Sequence, residues 1–249
     1  MKKTPPLPLA TISEHQGIRD LHLDSPWIQG SMRIRAPFEI VLEYVQRMMA
    51  WLLFVEPDSV GRLHAMQLGL GAGAITKFCH KKLRMRTTAV ELNRDVIEIC
   101  RAWFALPPED RRLSVLNADA GDVVRDPARL QTVDVLCVDL YDHEAAAPVL
   151  DDEGFYAGCR GLLADGGIMT VNLFGRDASF ARSSARVAAV FGRDQVWSMR
   201  PTKEGNTVLI AARGIAVPDR DALTARAATI EERWGLPARK WLRMVRPLE

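Results

Sequence analysis

Met66-Gln67-Leu68-Gly69-Leu70-Gly71-Ala72-Gly73-Ala74, followed after one more apolar run by Thr87-Thr88-Ala89-Val90-Glu91, is the stretch whose reading decides the fold. Leu63, Ala65, Met66 and Leu68 lead as a strand into glycines at alternate positions, and residues 74–85, free of glycine and proline, read as a helix. In a strand–turn–helix unit of this kind the glycines sit where the backbone needs positive φ and where a ligand comes close, because a Cβ would obstruct both. Glu91 ends the next strand about 20 residues on, where a carboxylate can accept hydrogen bonds from a ribose diol. A glycine triplet alone is weak, and a plain βα turn with a solvated Glu would also explain it. Turn, helix, strand and acid in this order favour an adenosyl or nucleotide ligand.

Outward from this unit the chain alternates strand and helix. Strands read at 64–68, 87–90, 112–116, 133–138 and 166–172, and helices at 73–82, 93–105, 119–125, 153–163 and 177–191. The run Val133-Asp134-Val135-Leu136-Cys137-Val138 is mostly apolar on both faces, as a central parallel strand requires. After Phe191 the alternation gives way to strands at 196–200 and 207–212 joined through Glu204-Gly205-Asn206, an antiparallel hairpin. Residues 218–234 read as a polar helix, and the tail after Pro237 carries no clear pattern. Upstream, residues 1–13 are proline-rich and expected to be frayed, and 18–35 suggest short antiparallel strands. Pro37 opens an expected helix over 38–55, with Ile40, Val41, Tyr44, Val45, Met48, Met49 and Leu52 at helical spacing. The expected fold is α/β: a doubly wound, Rossmann-type, methyltransferase-like and mostly parallel sheet ending in an antiparallel hairpin, with a small N-terminal β unit. The expected division is 1–57 for the strand unit and lead-in helix, and 58–249 for the nucleoside-binding catalytic domain.

The bulk properties exclude several classes. At 249 residues the chain can bury a sizeable core. Lys plus Arg number 33 against 31 acids, a net charge of +2 that argues for neither nucleic acid nor membrane partners. The locally basic run His80-Lys81-Lys82-Leu83-Arg84-Met85-Arg86 reads as a solvated helix end. Cys79, Cys100, Cys137 and Cys159 form no C-x-x-C pair, which fits a reducing cytoplasm. His15, His22, His64, His80 and His143 show no ligand spacing, so no metal site is expected. The longest apolar run, 48–55, is too short to span a bilayer.

In doubly wound sheets the ligand lies outside the carboxyl ends of the strands. The polar groups at such ends are the 69–73 turn, Glu91, Asp119 with Ala120, and Asp139 with Asp142. Asp119 can accept from an adenine amino group or cap the following helix, and the two roles are compatible. Asp139 and Asp142, three residues apart, concentrate negative charge that would attract a sulfonium and an amine. One of them can accept a proton from an ammonium as it becomes a nucleophile. A turn-forming Asp plus a helix cap is the plainer alternative.

At this point the chain resembles the polyamine aminopropyltransferases, the spermidine synthase family. The resemblance rests on the ordered series Leu68–Ala74, Val90-Glu91-Leu92-Asn93, Asp119-Ala120, Val133–Asp142, Glu153-Gly154-Phe155-Tyr156, Leu162–Gly167 and Val171-Asn172, and covers roughly residues 20–212. It implies that Glu91 holds the ribose hydroxyls, that Asp119 with Ala120 holds the adenine, and that Gly69, Gly71 and Gly73 shape the nucleoside turn. It implies Asp139 as the catalytic acceptor, Asp142 as an amine-binding partner, and Gln29 at the active-site mouth. The implied co-substrate is decarboxylated S-adenosylmethionine or S-adenosylmethionine, with no tightly bound cofactor. The implied acceptor is a small amine such as putrescine, and the implied assembly is a homodimer.

The departures from the family pattern carry information. The family's glycine turn normally holds an Asp where this chain has Ala72; its Tyr-His pair on the first helix is replaced near Val45-Gln46, with Tyr44 adjacent; and the Pro expected after Asp142 is His143. Without a carboxylate at 72, an attraction for a propylamine and a repulsion against a methionyl carboxylate both disappear. Two alternatives therefore stand beside aminopropyl transfer: a methyltransferase using intact S-adenosylmethionine, and a non-catalytic nucleoside-binding homologue.

Overall fold

A hairpin begins at Ala10, within the stretch 1–13 expected to be frayed, of which residues 1–6 lie outside the described residues. Ala10–His15 (β1) pairs antiparallel with Ile18–Leu23 (β2) across Gln16-Gly17, both at positive φ, the geometry of the tight hairpin turns that match strand twist. The prolines stop at Pro8, and Gln-Gly is a weaker turn signal than Asn-Gly, so the strand was hidden. Gly30–Arg33 (β3) completes a three-stranded sheet on β2. The computed structural model describes residues 7–140, 152–174 and 178–248.

The large sheet contains His64–Leu68 (β4), Arg86–Glu91 (β5), Leu113–Asn117 (β6), Val133–Val138 (β7), Leu163–Phe174 (β8), Val196–Ser198 (β9), Asn206–Ala212 (β10) and Arg246–Pro247 (β11). Their spatial order is β11-β9-β10-β8-β7-β4-β5-β6. Strands β6, β5, β4, β7 and β8 run parallel, and β10, β9 and β11 continue antiparallel. This is the expected doubly wound, methyltransferase-like sheet with its terminal hairpin, extended by one short strand from the tail.

The helices are Glu43–Met48 (α1), Ala74–Lys77 (α2), Arg94–Trp103 (α3), Ala120–Arg125 (α4), Glu153–Leu162 (α5), Ala178–Phe191 (α6), Arg220–Trp234 (α7) and Ala238–Trp241 (α8). One core joins α1, α7 and α8 to one sheet face, and a second joins α4, α5 and α6 to the other. Strand β7 serves both, with Val135 and Cys137 in the first core and Leu136 and Val138 in the second. All four cysteines are buried free thiols. Among the described residues no helix is long and apolar enough to cross a membrane, and no cluster of His, Cys, Asp or Glu is placed to hold a metal ion.

The expected helix over 38–55 is a correction. Only α1 is α-helical, and Met49–Phe54 continues as a 3-10 helix. Met48 through Leu53 are all buried, so this run has no polar side and cannot lie on the surface as an amphipathic helix. It is instead wedged between the sheet and α7 and α8. The expected helix over 73–82 likewise splits into α2 and the π-helix Phe78–Lys82. Lys77, at the junction, is buried with its Nζ donating to the Phe104 carbonyl at 2.6 Å.

The sheet order reverses between β4 and β7, and there the two strand ends meet. Asp139 N donates to the Leu68 carbonyl and Gly69 N to the Val90 carbonyl, each at 2.9 Å. Gly69 has φ +85°, and a Cβ on it would lie 2.1 Å from the Asp139 carbonyl oxygen. Gly69→Ala should therefore lower unfolding stability in urea by about 2–4 kcal/mol. Gly17→Ala, at φ +77° but in open space, should lose only about 1–2 kcal/mol. Equal losses would remove the steric account.

Candidate active site

The carboxyl ends of β4, β5, β6 and β7 open into a cavity of about 850 Å3, a size suited to a nucleoside plus a small second substrate. The N-terminal sheet covers it with Leu21, Leu23 and the segment Pro26–Gln29, and α1 supplies Glu43 and Tyr44. Of the residues expected from the sequence, Gln29, Gly69, Gly71, Glu91, Asp119, Ala120 and Asp139 all line this one cavity. Gly73 does not. It starts α2 in the left-handed conformation at φ 69°, behind the lining. Asp142 and His143 lie outside the described residues.

Glu91, expected from the sequence to hold a ribose, also has a structural task. Its Oε2 accepts from Leu70 N at 2.9 Å and its Oε1 from Asn93 N at 2.8 Å, so it ties the glycine turn to the start of α3. Each oxygen keeps a further lone pair for a diol. Burial pushes its carboxyl up, and the backbone N–H groups oppose that shift. Asp119 caps α4, its Oδ1 accepting from Gly121 N at 2.7 Å and from Asp122 N at 3.3 Å. The side chain is exposed and lines the cavity, so capping leaves it accessible from the cavity.

Asp139 sits at the floor, partly buried. Its Oδ1 accepts from Asn172 Nδ2 at 2.9 Å and its Oδ2 from the Tyr44 hydroxyl at 3.3 Å. Asn172 Oδ1 in turn accepts from Asn206 Nδ2 at 3.2 Å. Burial pushes the Asp139 carboxyl up to about 6, while the Asn172 and Tyr44 hydrogen bonds pull the other way. A carboxylate with that value is ionised at neutral pH yet basic enough to take a proton.

Asn206 and Glu204 went unassigned in the sequence, because a hairpin turn explains polar residues by itself. The antiparallel pairing of β10 on β8 sets Asn206 opposite Phe174, so the start of β10 lies at the same end of the sheet as the end of β8. Asn172, a polar residue ending an apolar strand beside β7, was the available signal for this network.

Residues 69–206 match the model of the spermine/spermidine synthase domain. A polyamine aminopropyltransferase of Neisseria meningitidis serogroup A is 33% identical over 237 residues, covering 94% of this chain and 88% of the relative. The chain belongs to the spermine/spermidine synthase family. Among solved structures, a probable spermidine synthase from Corynebacterium glutamicum superposes with TM-score 0.71 at 18% identity, covering 92% of this chain and 85% of that one. Human methyltransferase-like protein 13, solved with SAH, superposes with TM-score 0.68 at 22% identity, covering 84% of this chain and 96% of that one. Both likenesses speak to the fold.

The geometry explains how the chain accommodates Ala72. Ala72 is buried in an apolar cluster with Leu21, Met32 and Leu70, and a Cβ on Gly30 would lie 2.5 Å from its nitrogen. The N-terminal sheet has closed directly onto the glycine turn. Only a gap of about 10 Å3 remains, lined by Gln29, Tyr44, Gln67, Ala72 and Asp139 among others, room for about one water. Tyr44, adjacent to the position of the missing pair, reaches Asp139.

Two outcomes follow from this packing. Ala72→Asp should lower stability by about 2–4 kcal/mol, since the carboxylate has no solvated space to enter, and calorimetry should show no gain in donor affinity. Glu91→Gln should weaken adenosyl binding by about 1–3 kcal/mol and lower the melting temperature too, because the new amide NH2 faces a backbone N–H. Unchanged affinity would remove Glu91 from the site.

Proposed function

We propose that this enzyme moves the aminopropyl group of decarboxylated S-adenosylmethionine onto a small diamine such as putrescine. The observation that carries the reading is the charge of the cavity wall. Glu43, Glu91, Asp119, Asp139 and Glu204 all line it, and among the described lining residues there is no Lys, Arg or His. A donor bearing a sulfonium and an ammonium suits such a wall, as does a cationic amine. The carboxylate of intact S-adenosylmethionine would meet like charge with no cation beside it. This favours aminopropyl over methyl transfer even with Ala72 in place of the family's Asp. We further read the protein as a cytoplasmic homodimer, a view supported by the buried thiols and by exposed Leu9, Trp27, Ile28 and Ile34 on and around the N-terminal sheet. Intact S-adenosylmethionine should bind about 10-fold or more weakly than its decarboxylated form, and equal affinities would remove the charge argument.

In the reaction the amine nitrogen attacks the aminopropyl carbon next to the sulfonium. The N–C bond forms, the C–S bond breaks, and its electron pair stays on sulfur as a neutral thioether. That leaving group needs no acid, so the protein contributes positioning and charge. Asp139, held by Asn172 and Tyr44, orients the incoming ammonium and takes up the proton that must leave before nitrogen can attack. Asp142 is assigned the supporting role of binding the amine.

The raised Asp139 value sets the sign of the pH dependence. Below about 6 the group is protonated in the free enzyme and can neither attract nor deprotonate the amine. Donor kcat/KM should fall on the acid side through that value, and the limb in kcat should lie lower, because bound cationic substrates favour the ionised form. Asp139→Asn should reduce turnover by about 10²–10⁴-fold and abolish the acid limb while adenosyl binding survives. Methylthioadenosine release with putrescine is the direct assay. Tight donor binding without any release would favour the non-catalytic reading.

A further inference from the structure

The amine side of the cavity extends past Asp139 to the turn between β9 and β10, where Glu204 lines the wall. Glu204 is oriented by neutral donors, its own backbone N–H and the Thr202 hydroxyl. Thr202 is itself buried and accepts from Asn206 N at 3.2 Å, so the turn is internally braced. Glu43 faces the same end from α1, but its carboxylate is engaged by Arg47 at 2.6 Å. Among the described residues Glu204 has no ion-pair partner within that wall, and it remains ionised, with Arg47 and Lys203 acting on it only through their fields.

Beside the two carboxylates the wall carries the apolar Leu140 and Phe174 together with the amides of Asn172 and Asn206. Leu140 follows Asp139 directly, and the Phe174 ring lies against the turn, 3.7 Å from where a Cβ on Gly205 would stand. The hydrogen bonds Asp139–Asn172 and Asn172–Asn206 connect the turn to Asp139. The wall thus offers a carboxylate suited to proton transfer at Asp139, surface for methylenes at Leu140 and Phe174, and at Glu204 a second carboxylate with no ion-pair partner among the lining residues. That is the complement of a cation at each end of an alkyl chain.

We propose that Glu204 is a specificity-determining residue for the acceptor, holding the distal ammonium of an α,ω-diamine whose near nitrogen lies at Asp139. The proposal rests on the aminopropyl-transfer reading and extends it, because a monoamine would satisfy Asp139 but leave Glu204 unused.

The test compares putrescine with n-butylamine, which matches it in chain length and lacks the second nitrogen. With Glu204→Gln, the putrescine-to-butylamine ratio of kcat/KM should fall by about 10- to 100-fold, the worth of one charge-assisted hydrogen bond. The loss should appear in acceptor KM, with donor KM unmoved. An unchanged ratio overturns the assignment. Calorimetry of putrescine binding to each protein saturated with methylthioadenosine supplies a readout independent of turnover. A tenfold or greater loss in Glu204→Gln supports the proposal, and equal binding by the two proteins, or none by the parent, overturns it. Absence of transfer to either amine by the parent protein would instead count against the aminopropyl-transfer reading, whatever the binding data show.

Discussion

The contact that everything else depends on is the meeting of two backbones at the reversal of the sheet. Gly69 and Asp139 stand so close that no side chain fits on Gly69, and each strand end donates a hydrogen bond to a neighbouring strand. A doubly wound sheet opens a crevice at such a point because the connections leave it in opposite directions. Here the crevice receives the glycine turn from β4 and the Asp139 carboxylate from β7, so the two groups to which the proposed chemistry is assigned are placed by one packing event. The glycines have a different emphasis from the one expected. Gly69 is required by the adjoining strand, and Gly71 comes within 3.0 Å of the Gln29 carbonyl if given a Cβ, so both answer to protein backbone.

Concentrating acids in a cavity works against folding, and the protein's responses are visible. Burial raises both Glu91 and Asp139 above ordinary carboxyl values. For a carboxyl raised in the folded state, the stability is fully present while it is protonated in both states and is lost as pH rises through the folded value. Asp139 therefore weakens the fold across the range above its usual 3.8 and through about 6, where it becomes useful. Glu91 offsets part of its own cost by accepting two backbone N–H groups that would otherwise lack partners. The dicationic donor proposed above would relieve the remainder, which would couple substrate binding to stability by charge.

The sheet was legible because its signals are local and redundant. Apolar runs such as Val133–Val138, glycine at the first turn and acids at strand ends each point to the same architecture. Helix 38–55 was misread because its buried run mimics helical spacing while having no solvent side, a distinction that only the neighbours α7 and α8 create. The start of the chain was misread because proline near Pro8 masked a strand that begins at Ala10. Glu91, Asp119 and Asp139 are legible as cavity-lining residues from their positions at strand ends. Asn206 and Glu204 are not, since their place in the wall depends on how an antiparallel hairpin docks beside β8, and residues more than thirty positions apart carry no mark of that pairing.

Arg47 accounts for how the amine end can be both strongly anionic and well ordered. It is buried on α1, pairs with Glu43, and donates to the Arg200 carbonyl at the end of the β9 strand. A buried guanidinium is tolerated only with partners, and these tie the helix carrying Tyr44 to the hairpin carrying Glu204 and Asn206. The cation stands behind the wall and the carboxylates in front of it, so the substrate meets net negative charge while the protein retains local compensation. The ordering of charge in depth, more than its total, leaves the cavity surface at this end anionic, which is what the proposed binding of a cationic amine requires.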